Sequence, residues 1–385
     1  MNIPSWPQAG EREAELLHMV LESPHWGGFH PFIAEFEQSF AAYQNTAFGI
    51  AAFNGSVTLE LALTVIGIRP GDEVIVPALS FISTATSVSR VGAVPVFVDI
   101  EPWSFNIDPE RVRQALSPRT KAVIVVHFGG AMCRITDILA ICQERNLALI
   151  EDAAHAQGSE WNSRRAGSFG VTGSFSFQNG KVLSSGEGGI LVTSDPLFAE
   201  QARSIANCGR VQGRSFYEHH RLGTNFRMTA FQAAVLLAQL ERLPDQIAVR
   251  AENSRLLRNL LADVEEIVWQ EQPAEVTQNS WYLVPGRITA GADMRDMLRS
   301  KLTAAGVPCA FYPHTLYQNP LYRHYQCRVM SCPVAEACIQ DAFWLPHRVL
   351  LAEEETIREI AGIMRQAVAP DLQRMINIPV VSSLR

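Results

Sequence analysis

Lys181 lies in the stretch GSFSFQNGKVLSSGEGGILVTS, from Gly173 to Ser194, among Gly180, Gly186, Gly188, Gly189 and several hydroxyls. An apolar run stands on each side of it, and no charged helical face surrounds it. A lone lysine is ordinarily a solvated surface group, but this setting favours chemistry. Glycines let a ligand approach the backbone closely. Hydroxyls can bind a phosphate, and an enclosed amine can lose its proton and form a Schiff base with an aldehyde. To draw electrons from a substrate carbanion, such a site also needs a carboxylate that keeps a pyridine nitrogen protonated. Asp152 follows the run LALIE and opens AAHAQG, where that carboxylate should be; capping of the short helix after it accounts for the same residue. His155, one turn on, could contact the ring or its 3′-oxygen, or be a satisfied structural histidine. Together these groups are what pyridoxal 5′-phosphate requires.

A phosphate needs donors. Asn54-Gly55-Ser56 precedes the helical pattern VTLELALTVIG, so helix-terminal amides and the Ser56 hydroxyl could bind one; an ordinary N-cap explains the same letters. Ser176 is a second phosphate candidate, and Phe81, at the end of PALSF, could stack on a ring or belong to the core. His324, Cys327, Cys332 and Cys338 form the one cluster of metal-ligand types. Their spacing is not that of a standard zinc site, and buried free thiols with no metal are expected.

The elements that must position these residues are legible as short apolar, β-branched runs alternating with helical patterns from about Gly49 to Ser194: EVIVPA, VPVFVD, KAVIVVH, LALIED and ILVTS. That alternation implies βαβ units around a mostly parallel sheet. Ile135, Leu139 and Ile141 or Cys142 recur at helical spacing and predict a crossover helix ending near Arg145. In open α/β sheets ligands gather outside the carboxyl ends of the strands, which singles out Asn54 to Ser56, Ser80, Phe81, His127, Asp152 and His155. The segment Met228 to Leu243 has strong helix formers and an apolar face through Phe231, Val235, Leu236 and Leu240. Beyond it the pattern weakens, so a large cofactor-binding domain is expected over residues 1–245 and a smaller α+β domain over 246–385, with WYLVPGRI as one of its strands. No repeat, low-complexity segment or long linker separates them, so close packing is expected.

Composition bounds the rest. A length of 385 residues gives a prior of two or three domains, and 47% hydrophobic against 18% charged residues implies a chain that folds throughout. A net charge of −7 offers no basic field for nucleic acid or an anionic leaflet. No stretch approaches the roughly 20 apolar residues that span a bilayer, and the N-terminus lacks a basic region followed by an apolar one, so a cytoplasmic protein is expected. Seven cysteines without a CxxC pair fit reduced thiols.

The assembled elements are WGGFHPFIAEFEQSFAAY, NGS before a helix, GDEVIVPALSFISTATSVSRVGAVPVFVDIEP, VVHFGG, EDAAHAQG, SFSFQNGKVLSSGEGG, GTNFRMTAFQAAVLLAQL and the late YPHTLY. In their order and intervals they resemble the DegT/StrS group of sugar and cyclitol aminotransferases, within the fold-type I pyridoxal-phosphate enzymes. The resemblance implies a large α/β domain whose mostly parallel seven-stranded sheet lies between helices, followed by a smaller α+β domain. It implies that Lys181 forms the internal aldimine, that Asp152 pairs with the pyridine nitrogen, that His155 lies near the 3′-oxygen and that Phe81 stacks on the ring. Gly55, Ser56 and Ser176 would hold the phosphate, and Asn225 in GTNFRM would reach it from the neighbouring subunit of a homodimer with shared active sites. His314 in YPH, and Trp26, would line the substrate pocket.

Relatives that dehydrate carry histidine in place of the cofactor lysine. The lysine here favours transamination, because its freed amine moves the proton between substrate and cofactor carbons. Phe177-Gln178-Asn179-Gly180 before the lysine looks closer to the inosose aminotransferase and aminohydroxybenzoate synthase branches than to enzymes of nucleotide-linked sugars. The implied reaction takes an amino group from L-glutamine or L-glutamate to a ketocyclitol or free keto-sugar. The alternatives are a pyridoxal-phosphate dehydratase or aromatising synthase, and a non-catalytic cofactor-binding regulator; no DNA-reading module supports the last.

Overall fold

The computed structural model describes residues 1–368. The apolar runs form strands β1 (Phe48–Ala52), β2 (Glu73–Pro77), β3 (Val94–Val98), β4 (Thr120–Val126), β5 (Ala148–Asp152), β6 (Thr172–Ser176) and β7 (Gly189–Thr193). They pair in the order β1-β7-β6-β5-β4-β2-β3. Only β7 runs against its neighbours β1 and β6; the other pairs are parallel. After β7 come β8 (Ile267–Trp269), β9 (Leu283–Ile288), β10 (Arg328–Val329) and β11 (Ala342–Pro346). The two-residue β10 adds an eighth, parallel edge strand against β3, beyond the seven strands expected, because the distant C-terminal part folds back onto the sheet.

The runs are continuous in sequence because both faces of the sheet are covered. Ile75, Val123 and Val125 point into one core, whereas their neighbours Val74, Val76, Ala122 and Ile124 point into the other. On the first face lie α1 (Glu11–Glu22) and α2 (Pro31–Tyr43), which contribute Leu16, Phe36 and Phe40. The second face is covered by α3 (Gly55–Val65) and α4 (Ser83–Arg90) through Leu59, Leu61, Ala85 and Val88. Next come α5 (Pro109–Ala115) and α6 (Ile135–Arg145), both on the first face, and α7 (Pro196–Ala206), which places Phe198 and Ala202 in the second core. The crossover helix α6 ends where Asn146 adopts a left-handed conformation at φ 53°, a common helix stop.

Helix α8 (Ala230–Leu260) begins with a capping box between Thr229 and Gln232. Its spacing predicts an end near Leu243, yet it continues through Pro244. Pro244 is exposed, on a face where a carbonyl that loses its donor can be hydrated, so the helix tolerates it. The expected division at residue 245 therefore falls inside one helix. The end of α8 enters a further core with α9 (Ala292–Ala304) and the antiparallel sheet β8-β9-β11, through Leu257, Ile267, Val284, Leu298 and Phe343. Then follow α10 (Pro333–Asp341) and α11 (Glu354–Val368), the latter adding Ile357, Ile360 and Met364 to that core. A separate cluster, including Leu79, Phe105 and Phe128 with Leu283, Cys338 and Trp344, joins this region to the large sheet.

All seven cysteines are free. Burial pushes the Cys332 and Cys338 thiols up to about 12. Among the described residues no group of His, Cys, Asp and Glu is placed to hold a metal, and no helix is long and apolar enough to cross a membrane.

Candidate active site

The parallel register sets Asp152 opposite Val126 and Ser174, so β4 and β5 end level with one another and β6 runs two residues further, to Ser176. β1 and β2 run in the same direction, and the segments leaving these strands surround a cavity of about 480 Å³. Asn54, Phe81, Asp152, His155, Ser176 and Lys181 line it. Lys181 comes from the loop that turns β6 back into β7. Within that loop the Lys181 N–H donates to the Gln178 carbonyl at 2.8 Å and the Phe177 N–H to the Gly188 carbonyl at 2.8 Å. Lys181 is only 9% exposed, and its Nζ lies 4.4 Å from the centre of the Tyr282 ring.

Asp152 closes β5 and is buried. Thr84 Oγ1 donates to its Oδ2 at 2.7 Å, and the Ala154 N–H to its Oδ1 at 3.3 Å. Ser80 Oγ is 2.9 Å from Thr84 Oγ1. Because the single Thr84 proton is directed to the carboxylate, Ser80 is the donor in that pair. Burial raises Asp152 above the usual carboxylate value, opposed by the Thr84 bond and by the charge of Lys181. His155 is held in a different way. Its Nδ1 accepts the Gly129 N–H at 3.4 Å, so the neutral ring carries its proton on Nε2. Burial, reinforced by Lys181, keeps this imidazole well below its ordinary pKa, and its ring lies 4.2 Å from that of Tyr282.

At the other end of the cavity Asn54 caps α3, accepting the N–H groups of Ser56 and Val57 at 3.0 Å. The ordinary capping role and the lining role therefore coexist in one residue. Gly55 and Gly189 permit a close approach that a side chain would prevent. A Cβ on Gly55 would lie 2.6 Å from the Ser176 Cβ, and one on Gly189 would lie 2.4 Å from the Asn54 backbone. The Ser56 and Ser83 hydroxyls are 2.6 Å apart; one of their two protons is used between them and the other is left for a ligand.

The structure does not gather every expected residue. Asn225 is exposed and outside this cavity, its Oδ1 accepting the Arg227 N–H at 3.3 Å. Trp26 is 54% exposed and packs on Phe231, and His314 is exposed; neither lines the cavity. Phe81 lines it but is 57% exposed. His127 is wholly buried in a structural role, donating from Nε2 to Glu151 at 3.1 Å and accepting the Cys133 N–H at Nδ1. Conversely, Thr84, Tyr282 and Tyr312 belong to the site and were not singled out from the sequence. Thr84 is one turn beyond Ser80, a spacing that points to it; the tyrosines carry no chain-local signal and lie over 100 residues away from Lys181 in the chain.

A larger cavity, of about 580 Å³, lies near Phe29, Arg203 and Arg227. It contains no lysine, and its one buried carboxylate, Glu37, is already engaged by Arg203 and by the Ala51 N–H. The smaller cavity, with an enclosed amine, a buried carboxylate and a neutral imidazole, is the one equipped to capture an aldehyde and manage protons beside it.

Residues 7–365 match the profile of the DegT/DnrJ/EryC1/StrS aminotransferase family. The chain is 38% identical over 379 residues to the 3-amino-5-hydroxybenzoate synthase of Amycolatopsis mediterranei, covering 95% of this chain and 97% of that protein. A crystal structure of 3-amino-5-hydroxybenzoic acid synthase superposes with a TM-score of 0.91 at 38% identity, over 96% of this chain and 99% of that one. The GDP-perosamine synthase of Caulobacter vibrioides is 36% identical, covering 86% of this chain and 89% of that protein. The L-glutamine:2-deoxy-scyllo-inosose aminotransferase of Streptomyces kanamyceticus is 34% identical, covering 93% and 92%.

Proposed function

The chain belongs to the DegT/DnrJ/EryC1/StrS aminotransferase family, and we propose that it moves an amino group from L-glutamine or L-glutamate to a ketocyclitol or keto-sugar, using pyridoxal phosphate held at Lys181. The observation that carries this reading is the enclosed Lys181 amine sharing one cavity with Asp152 and His155. The cavity fits the cofactor. Gly55 and Gly189 leave a cradle that a Cβ would fill, and the hydroxyls of Ser56, Ser83 and Ser176 border it.

When bound, the cofactor supplies an aldehyde for reversible capture of amines and a protonated ring that accepts electron density. Asp152 would hold the proton on the ring nitrogen, with Ser80 and Thr84 fixing the carboxylate. Its burial strengthens that ion pair. The neutral His155 would offer Nε2–H as a donor to the cofactor ring, and Phe81 would stack on it. With the cofactor bound, Lys181 Nζ would anchor it and, once freed, would act as the positioned general base that moves the substrate α-proton. Gly55, Ser56 and Ser176 would hold the phosphate.

No arginine lines this cavity among the described residues, and a phosphate dianion is better held with more donors. The exposed Asn225, with Arg227 beside it, supports a homodimer in which each subunit completes the other's phosphate site. The exposed Trp26, Phe29 and Phe81 support the same assembly, in which Trp26 and His314 reach the substrate.

The carbocyclic acceptor is supported by the likeness to the scyllo-inosose aminotransferase and by Phe177-Gln178-Asn179-Gly180; the likeness to GDP-perosamine synthase makes a nucleotide-linked keto-sugar its competitor. The visible spectrum of the purified protein, before and after L-glutamine or L-glutamate, tests the first half-reaction. The expected result is a yellow protein bleached by one donor, with borohydride fixing the label on Lys181. A colourless protein that cannot be reconstituted with pyridoxal phosphate overturns the reading. A panel of a ketocyclitol, a free keto-sugar and a nucleotide-linked keto-sugar then ranks the acceptors by kcat/KM. The likeness to 3-amino-5-hydroxybenzoate synthase favours one second reading, an aromatising loss of water; product analysis showing water loss without net amino transfer would select it.

Thr84→Val keeps the shape of the side chain and removes the bond to Asp152. A hydrogen bond to a charged group contributes about 1.5–3 kcal/mol, so the variant is expected to retain the cofactor roughly tenfold or more weakly, as measured by fluorescence titration of the cofactor-free protein.

A further inference from the structure

We propose that Trp6 and His347 are positioning residues for Lys181, fastening the peptide that carries its amine from two parts of the chain remote in sequence. The proposal rests on Lys181 being the reactive amine. Two successive carbonyls of the lysine loop have no strand partner, and each receives one side-chain donor. His347 Nε2 lies 3.1 Å from the Gly180 oxygen, and Trp6 Nε1 donates to the Lys181 oxygen at 3.0 Å. A carbonyl can only accept, so the His347 proton is on Nε2, and its Nδ1 has no partner. The ring is therefore a neutral, single-proton donor, only 1% exposed.

The two donors are themselves fixed. The Trp6 and His347 rings meet edge to face with centroids 4.5 Å apart. The His347 ring is stacked over that of Tyr282 at 6.0 Å, and the His347 N–H donates to the Tyr282 carbonyl at 2.9 Å. Tyr282 in turn lies under the Lys181 amine and against His155. Four rings thus form a column, His155–Tyr282–His347–Trp6, beside the loop. The segment holding Trp6 is tied to α8 where Gln239 and Arg242 both donate to the Gln8 carbonyl, and the wholly buried Arg250 guanidinium lies 5.7 Å from the Trp6 ring.

The loop needs such fastening. Gly180, Gly186, Gly188 and Gly189 give its backbone freedom that other residues would not, and an error of about 1 Å in placing a catalytic group can cost roughly 100-fold in rate. With the two donors in place, the N–H and C=O of Lys181 are both satisfied, and the amine is carried on a peptide that cannot swing. The consequence is that the N-terminal segment and the turn after β11 set the reactivity of a lysine in the large sheet's loop.

The test compares Trp6→Phe, which keeps a ring and loses the N–H, with His347→Leu, which loses the donor, and His347→Gln, which restores an amide N–H. The chain has only three lysines, Lys121, Lys181 and Lys301, and Lys121 and Lys301 are exposed. Reductive methylation of the cofactor-free protein with formaldehyde, read by peptide mass spectrometry, therefore reports Lys181 against two internal references. In Trp6→Phe and His347→Leu, kcat is expected to fall about tenfold with the donor KM within about twofold. Methylation of Lys181 relative to Lys121 and Lys301 should rise several-fold, and His347→Gln should recover most of both. Wild-type kcat and an unchanged labelling ratio in Trp6→Phe and His347→Leu overturn the proposal, as does a loss shared equally by His347→Gln. If His347→Leu does not fold, Trp6→Phe decides. A wild-type protein that never binds pyridoxal phosphate defeats the functional reading, whereas the labelling ratio still reports on the fastening.

Discussion

Lys181→Ala is expected to abolish amino transfer, lowering kcat by at least about 10⁴-fold, because in the proposed reaction one residue would serve both as the covalent anchor and as the base. The remaining cavity keeps Asp152, Thr84 and the hydroxyls of Ser56, Ser83 and Ser176, so pyridoxal phosphate should still bind, without a bond to the chain. Absorbance after gel filtration, with and without prior borohydride, checks this. The wild type should carry a label that survives denaturation, and the variant should carry one that denaturation removes. Full activity in the variant would show that the amine is not the base and that the assignment of this cavity is wrong.

The second large effect is expected from Asp152→Asn, with kcat lower by about 10²- to 10³-fold, the scale of removing one preorganised electrostatic partner. The amide has nearly the same size, so the variant should fold. It cannot hold the positive charge on a ring nitrogen, and Thr84 Oγ1, which now donates to Oδ2 at 2.7 Å, would face either a neutral oxygen or an N–H. The pH dependence gives an independent check. Burial raises Asp152 above the usual carboxylate value, and only the ionised form pairs with a cationic ring. Cofactor affinity should therefore fall as pH is lowered through that raised value, at a higher pH than an exposed aspartate would give. In Asp152→Asn the affinity should be weaker throughout and lack that acid limb. An acid limb that persists unchanged would assign it to another group. His155 is not the alternative: burial keeps its imidazole neutral to well below its ordinary value.

Much of the site was legible because it is local. Asp152 ends a strand, His155 is one turn on, Gly55 and Ser56 open a helix, and Lys181 stands in a glycine-rich turn; each is a short-range pattern of residue type and spacing. The same holds for the sheet. Continuous β-branched runs mark strands covered on both faces, and the carboxyl ends of such strands are where a ligand site forms. The limits of helix α8 were less legible. The helical pattern reads only to Leu243, but the burial of Ile247, Arg250 and Leu257 beyond Pro244 carries the helix on to Leu260, since packing outweighs the roughly 3 kcal/mol that proline costs in a helix.

The sequence by itself determined the class of fold, the lysine proposed as reactive, the carboxylate at the strand end and the glycines that let one end of the cavity close in. Only the tertiary structure decided which aromatic rings and donors surround the lysine. Tyr282, Tyr312, His347 and Trp6 come from segments whose own patterns say only strand, turn or terminus. Tyr282, Tyr312 and His347 meet the Lys181 loop because the C-terminal part packs on the large sheet through Leu79, Phe128, Leu283 and Trp344, and Trp6 because its segment is tied to α8 at the Gln8 carbonyl. The same folding leaves Asn225, Trp26 and His314 on the outside of the single chain. Hydrophobic burial that joins distant segments is non-directional and leaves no periodic mark in any one of them, so the neighbours it creates are fixed by the packed shape of the whole.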